Sequence, residues 1–335
     1  MSVAVQSAPT FIPTFTKPVQ RPAIANYFPA PPTKWVAEIH PLERQITAEV
    51  DAYFLKEWKF PNEKARKTFV NAGFSTVTCY YYPKSLDDRI AFACKLLTVL
   101  FLIDDVLEDM SFEEGEAYNE RLIPISRGHV LPNREDPAEY ILYDLWEAMR
   151  AHDKELADEI LEPTFTFMRA QTDKARATMK ELGQYLEYRE RDVGKALLSA
   201  LMRFAYNIHL TQEELDSVRV HEENCSKQIS VVNDIYSFEK ELIASKTGHV
   251  EGSALCSAVN ILAEETSLAY EPAKKCLWTM VREWEDRHDE IVEERCNAPQ
   301  GCSDDVKMYM KGLEYQMSGN EEWSRTTLRY IGVDN

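Results

Sequence analysis

The sequence predicts an all-α protein, on three observations. Glycine is scarce, at 11 of 335 residues. From about residue 41 onward, apolar residues recur at the spacing of one helix face. Several stretches open with side chains that cap helices: Ser85 with Asp88 three residues on, Thr211 with Glu214, and Ser303 ahead of two aspartates.

Residues 1–35 hold seven of the 16 prolines, with Thr, Ser and Ala between them. They read as an extended leader ahead of one domain over 36–335. Candidate helices then follow at 42–58 and 62–71. The next, 86–109, starts at the Ser85 cap and contains the apolar run Leu96–Ile103. The stretch 121–137, with three prolines, Gly128 and Asn133, reads as a loop. Helices are expected at 137–150 and 153–182, with Pro163 kinking or restarting the second. After 185–207 comes a long helix, 212–245, opened by Thr211 and Glu214. Helices at 254–267 and 272–297, a loop at 297–303, and helices at 303–318 and 320–330 complete the chain. No repeat, linker or shift in composition divides it.

A formal net charge of −18 disfavours nucleic acid and anionic membrane surfaces as partners. The seven cysteines are scattered without a CxxC pair, which predicts free thiols and a reducing, cytoplasmic setting. No apolar run approaches the roughly 18 residues of a membrane span. The N-terminal stretch lacks the apolar core of a secretion signal.

Chemistry concentrates in two acidic segments. Asn233, Ser237 and Glu241 stand at i, i+4 and i+8. On a helix they lie roughly 40° apart, on one face. All three offer oxygen, which suits a hard divalent cation such as Mg²⁺. Lys240 falls on nearly the same face, so that face suits a diphosphate. The second segment, Asp104-Asp105-Val-Leu-Glu108-Asp109, ends the apolar run. Four like charges within two turns repel one another, and bound metal would relieve them. Either segment alone would be an ordinary solvated stripe. Both together, each at the edge of an apolar run, point to a metal-assisted site.

These two motifs resemble those of class I terpene cyclases. The resemblance extends through Met110–Arg121, Tyr185–Gly194 and Trp323–Tyr330 to the fungal sesquiterpene branch of that family, and spans roughly residues 40–331. It implies an α-helical bundle around a central cavity, in the single-domain form. It implies three Mg²⁺ ions held by Asp104 on one side and Asn233, Ser237 and Glu241 on the other. Asp105, Glu108 and Asp109 are then supporting acids. It implies that Arg189, Lys240, Arg329 and Tyr330 bind diphosphate, the last two on a tail that folds over the site with substrate and metal. It also implies that Tyr81, Phe101, Phe167 and Trp323 shape the pocket around a carbocation, with Leu97 at its floor. The implied substrate is farnesyl diphosphate. The implied products are diphosphate and a bicyclic hydrocarbon, aristolochene by way of germacrene A, with another sesquiterpene as the alternative. Self-association is left open. A prenyl diphosphate synthase would need a second aspartate-rich motif where this chain has Asn233, Ser237 and Glu241. A non-catalytic scaffold would have no use for intact ligands in both segments.

Overall fold

The apolar run before Asp104 becomes a helix with one charged end and a buried body. It is helix α4, Ile90–Leu107, whose Leu96, Val99 and Ile103 are fully covered. The computed structural model describes residues 30–247, 251 and 254–331. Among these it contains thirteen α-helices, one 3-10 turn and no strand. Before α4 come α1 (Glu43–Glu57), α2 (Glu63–Ala72) and α3 (Phe74–Tyr81). After it come α5 (Phe112–Ser126), α6 (Pro137–His152), α7 (Lys154–Gln171), the 3-10 turn Lys174–Ala177, α8 (Leu182–Asp192) and α9 (Lys195–Tyr206). The chain continues through α10 (Gln212–Thr247), α11 (Ala258–Thr266), α12 (Tyr270–Cys296) and α13 (Asp304–Thr326). Helix α10 lies against α12 and α13, α13 against α3, and α7 against α9.

Residues 1–29 of the expected leader lie outside the described residues. Residues from Pro31 onward belong to one unit. Within it, Arg282 donates to the Pro31 carbonyl and the Thr33 hydroxyl donates to Glu285 at 2.7 Å, so this stretch runs along α12.

Helix α5 overturns the expected loop at 121–137, since it runs to Ser126. Its start is a capping box: Glu114 N–H donates to Ser111 Oγ at 3.2 Å and Ser111 N–H to Glu114 at 2.9 Å. Pro124 is accommodated near the end of the helix, which stops two residues later. Pro163 neither ends nor restarts α7. The carbonyl it leaves without a donor is that of Glu159, an exposed residue that water can reach. The helix nevertheless stops at Gln171, well short of 182. Ser85 does not cap α4. Its hydroxyl donates to the Ala205 carbonyl at 3.2 Å, and the helix begins five residues later. Thr211 and Ser303 cap as expected: Glu214 N–H donates to Thr211 Oγ1 at 3.2 Å, and Val306 N–H to Ser303 Oγ at 3.2 Å.

Helix α3 has no counterpart among the helices expected from the sequence; it follows α2 directly across Gly73 at φ +66°. Two further glycines explain the other main differences. Gly194, at φ +72°, breaks the expected helix 185–207 into α8 and α9. A Cβ there would lie 3.0 Å from the Phe167 ring. Gly319 does the opposite. Instead of separating two helices it sits inside a continuous α13, where a Cβ would come within 2.8 Å of the Tyr80 carbonyl. Its missing side chain lets α13 approach α3 closely, and that approach positions the residues at the C-terminal end of α13.

Candidate active site

Helices α3, α4, α7, α8, α10 and α13 surround one cavity. Tyr81, Phe101, Asp104, Phe167, Arg189, Asn233, Ser237, Lys240, Glu241, Trp323, Arg329 and Tyr330 all line it. Its polar mouth lies between the end of α4 and the C-terminal half of α10. Its interior is walled by aromatic and aliphatic side chains.

On the α4 side, one oxygen from each of Asp104, Asp105 and Glu108 falls within 4.8 Å of the others. Asp109 is exposed and outside this group. Two of the three acids already have cationic partners. Arg329 donates to Asp105 at 2.7 and 3.4 Å, and Lys240 donates to Glu108 at 3.2 Å. Asp104 has a neutral partner, Gln171, whose Nε2 donates to it at 2.6 Å. Burial, together with the Glu108 and Asp105 charges, pushes the Asp104 carboxyl up to about 6.

On the α10 side, the i, i+4, i+8 face is turned toward these acids. Asn233 Oδ1 accepts from Arg189 at 3.0 Å, and its amide donates to the Tyr330 hydroxyl at 2.7 Å. The Ser237 hydroxyl donates to Glu241 at 2.6 Å. Burial and the neighbouring Asp234 push Glu241 up to about 7.

Sequence reasoning missed several partners. Asp234 is fully buried and accepts from the Tyr185 hydroxyl, from Ala258 N–H at 2.8 Å and from Arg189 at 3.2 Å. Asp192, one turn beyond Arg189, forms an ion pair with it. That i, i+3 spacing was the one available signal. Gln171, Arg176 and Asn320 also line the cavity, and each comes from an element whose neighbours only the fold reveals.

The aromatic wall is fixed by specific contacts. Phe101 stacks on Phe74 at 4.5 Å with 10° between planes, and Trp323 lies 6.4 Å from Phe101. The Trp323 indole N–H donates to the Ala72 carbonyl at 3.1 Å, and the Thr327 hydroxyl donates to the same oxygen at 2.9 Å. The Arg329 guanidinium sits 5.2 Å over the Phe74 ring. The Tyr81 hydroxyl donates to Asn320 at 2.9 Å. Phe167 rests against the bare backbone of Gly194. Arg329 and Tyr330 thus lie against the mouth through bonds of their own.

The donor set fits a hard divalent cation. It comprises carboxylates, an amide and a hydroxyl, with no thiol or imidazole among them. Among the described residues, neither Asp104 nor Glu241 is held in a salt bridge, and burial raises both. Both have folded pKa values above those of the unfolded chain, so the folded state holds extra protons between roughly pH 4 and 7. Stability of the metal-free protein therefore falls as pH rises through that window. A bound cation displaces the same protons. We expect affinity for Mg²⁺ to rise at least tenfold between about pH 5 and about pH 8, with proton release. Calorimetry in two buffers of different ionisation enthalpy measures both quantities. Affinity independent of pH would mean that these carboxyls do not bind the ion.

Comparison with known proteins agrees with this geometry. The family model described as terpene synthase family 2, C-terminal metal binding, matches residues 95–287. An aristolochene synthase of Penicillium roqueforti is 64% identical over 310 residues, covering 92% of this chain and 91% of the relative. One of Aspergillus terreus is 63% identical over 303 residues, covering 90% and 94%. The crystal structure of aristolochene synthase from Penicillium roqueforti is similar to this fold with a TM-score of 0.80 at 63% identity. That match covers 89% of this chain and 99% of the other.

Proposed function

Since this chain belongs to the terpene synthase family, alongside the fungal aristolochene synthases, we propose that it cyclises farnesyl diphosphate to aristolochene and diphosphate with three Mg²⁺ ions. One observation carries the reading. Two oxygen-rich faces and the side chains of Arg189, Lys240, Arg329 and Tyr330 meet at the mouth of a cavity whose interior is apolar and aromatic.

The charged mouth is suited to removing the diphosphate. Arg189, Arg329 and Lys240 hold acids of the site itself, so each can exchange a carboxylate for a diphosphate oxygen. Tyr330 adds a phenol beside Asn233. Bound divalent cations would neutralise both the acids and the departing anion. The interior then stabilises what is left behind. A carbocation over an aromatic face gains up to about 2 kcal/mol when water is excluded. Phe101, Phe167 and Trp323 present such faces, and Leu97 lines the pocket with them. The Tyr81 hydroxyl proton is engaged with Asn320. The diphosphate, kept at the mouth by Arg189, Lys240 and Tyr330, is the natural proton carrier. Ring closure gives a monocyclic germacryl cation, which loses a proton to the diphosphate and becomes germacrene A. Reprotonation gives a bicyclic cation, and hydride and methyl shifts with a last deprotonation follow.

The product of the purified protein with farnesyl diphosphate and Mg²⁺, identified by gas chromatography and mass spectrometry, tests the proposal. Aristolochene is the expected result. Another hydrocarbon would retain the cyclase and discard the product. No release of diphosphate would discard both. One catalytic domain over 36–335 and a cytoplasmic location belong to the same proposal, which leaves self-association of the chain open. Among the described residues no helix is long and apolar enough to cross a membrane.

Phe167→Ala is expected to change the product before it stops ionisation. The metal-binding faces and the donors remain, so diphosphate release should stay within about threefold of the parent rate. Losing one aromatic face disfavours the late cation, and germacrene A should become the main product. An unchanged product profile would make Phe167 a packing residue for Gly194 and nothing more.

A further inference from the structure

We propose that Gln171 is a positioning residue for Asp104. It orients the carboxylate for a cation while leaving its charge unspent, and Arg176 braces Gln171 through its backbone carbonyl. The proposal rests on the metal-dependent reading above and deepens it.

The three clustered acids of α4 are not equivalent. Arg329 holds Asp105 and Lys240 holds Glu108. The hydrogen bond that fixes Asp104 comes instead from an uncharged amide, at 2.6 Å. A lysine or arginine in that place would pair with Asp104 and compete with the metal. An amide N–H orients one oxygen and leaves the negative charge for the ion. Such outer contacts set the direction and affinity of metal ligands.

Gln171 is built into its place. It is buried, and it is the last residue of α7. Its carbonyl, one of those left without an intrahelical donor, accepts from Arg176 Nη1 at 2.7 Å. Its side-chain Oε1 is buried with no hydrogen-bond partner among the described residues. An unsatisfied buried acceptor is costly, so a leucine would be the easier residue to bury here. The amide is therefore explained by what its Nε2 does. Arg176 in turn lies 4.0 Å from Asp192, the acid that pairs with Arg189. The bracket thus connects Asp104 on one wall to the Arg189 anchor on the other.

The test is calorimetric titration of Mg²⁺ in the presence of inorganic diphosphate, on the full-length protein and on Gln171→Leu and Gln171→Asn. Asparagine keeps the amide but is one methylene too short to reach Asp104. Both variants should need ten- to hundredfold more Mg²⁺ for the same binding. In turnover, kcat at saturating Mg²⁺ should return to within about threefold of the parent value, with the same product. Arg176→Gln should shift Mg²⁺ dependence in the same direction by less. An unchanged Mg²⁺ requirement in either folded variant, or a kcat loss that Mg²⁺ does not restore, would overturn the proposal. Failure of the parent protein to bind Mg²⁺ with diphosphate would overturn the functional reading itself.

Discussion

Glu241→Ala and Asn233→Ala should each reduce turnover by on the order of a thousandfold, equivalent to losing several kcal/mol of charge stabilisation. Asp109→Ala should leave most of the activity. The difference is positional. Asn233, Ser237 and Glu241 share one face of α10, and that face meets the Asp104 cluster across the cavity. Asn233 also organises the site, since its two amide atoms bridge Arg189 to Tyr330. Its loss therefore removes a candidate ligand and loosens two donors together. Glu241 bonds to Ser237, so its removal leaves that hydroxyl without its acceptor. Asp109 is exposed and outside the cluster. Steady-state rates from farnesyl diphosphate at saturating Mg²⁺ provide the comparison. Similar losses at Asp109 and Glu241 would mean that the ligand assignment is wrong.

The α10 face could be read from sequence because its members lie on one helix, where spacing alone determines geometry. The same holds for Asp104 and Glu108 at the end of an apolar run. Residues such as Gln171, Asn320 and Phe74 could not be read this way. Each acts on a partner from another helix, and helix spacing says nothing about which helices meet. Lys240, from its helix face, and Arg329, through the family resemblance alone, were expected near a diphosphate but not as the partners of Glu108 and Asp105, for the same reason. Among the elements, α5 had a readable start in Ser111 and Glu114, but Pro124 and the further prolines Pro132 and Pro137 obscured it. Gly319 misled in the other direction. Glycine in a helical pattern suggests a break, yet here it serves a close approach to Tyr80, which depends on tertiary packing.

Ending the chain before Arg329 should cut turnover by two to three orders of magnitude, roughly the cost of losing two diphosphate donors. The melting temperature should fall by only about a few degrees, because the helices and their core remain. The reason lies in how the tail is held. Arg329 is mostly covered and paired with Asp105, and Tyr330 contacts Asn233 and the Trp323 ring. On the proposed function, substrate binding transfers Arg329 from an acid to the diphosphate. Cations at the acids weaken the hold of Asp105, and the anion offers Arg329 a new partner. Neither ligand suffices alone. A bare diphosphate is repelled by Asp104, Asp105, Glu108 and Glu241, and bare cations leave Arg329 without an acceptor. Hydrogen exchange should accordingly slow around 228–245 and 320–331 with Mg²⁺ and diphosphate together, and only partly with either one. Full protection by one ligand, or a truncated enzyme that cyclises at the parent rate, would show that the donors which secure the diphosphate lie elsewhere in the cavity.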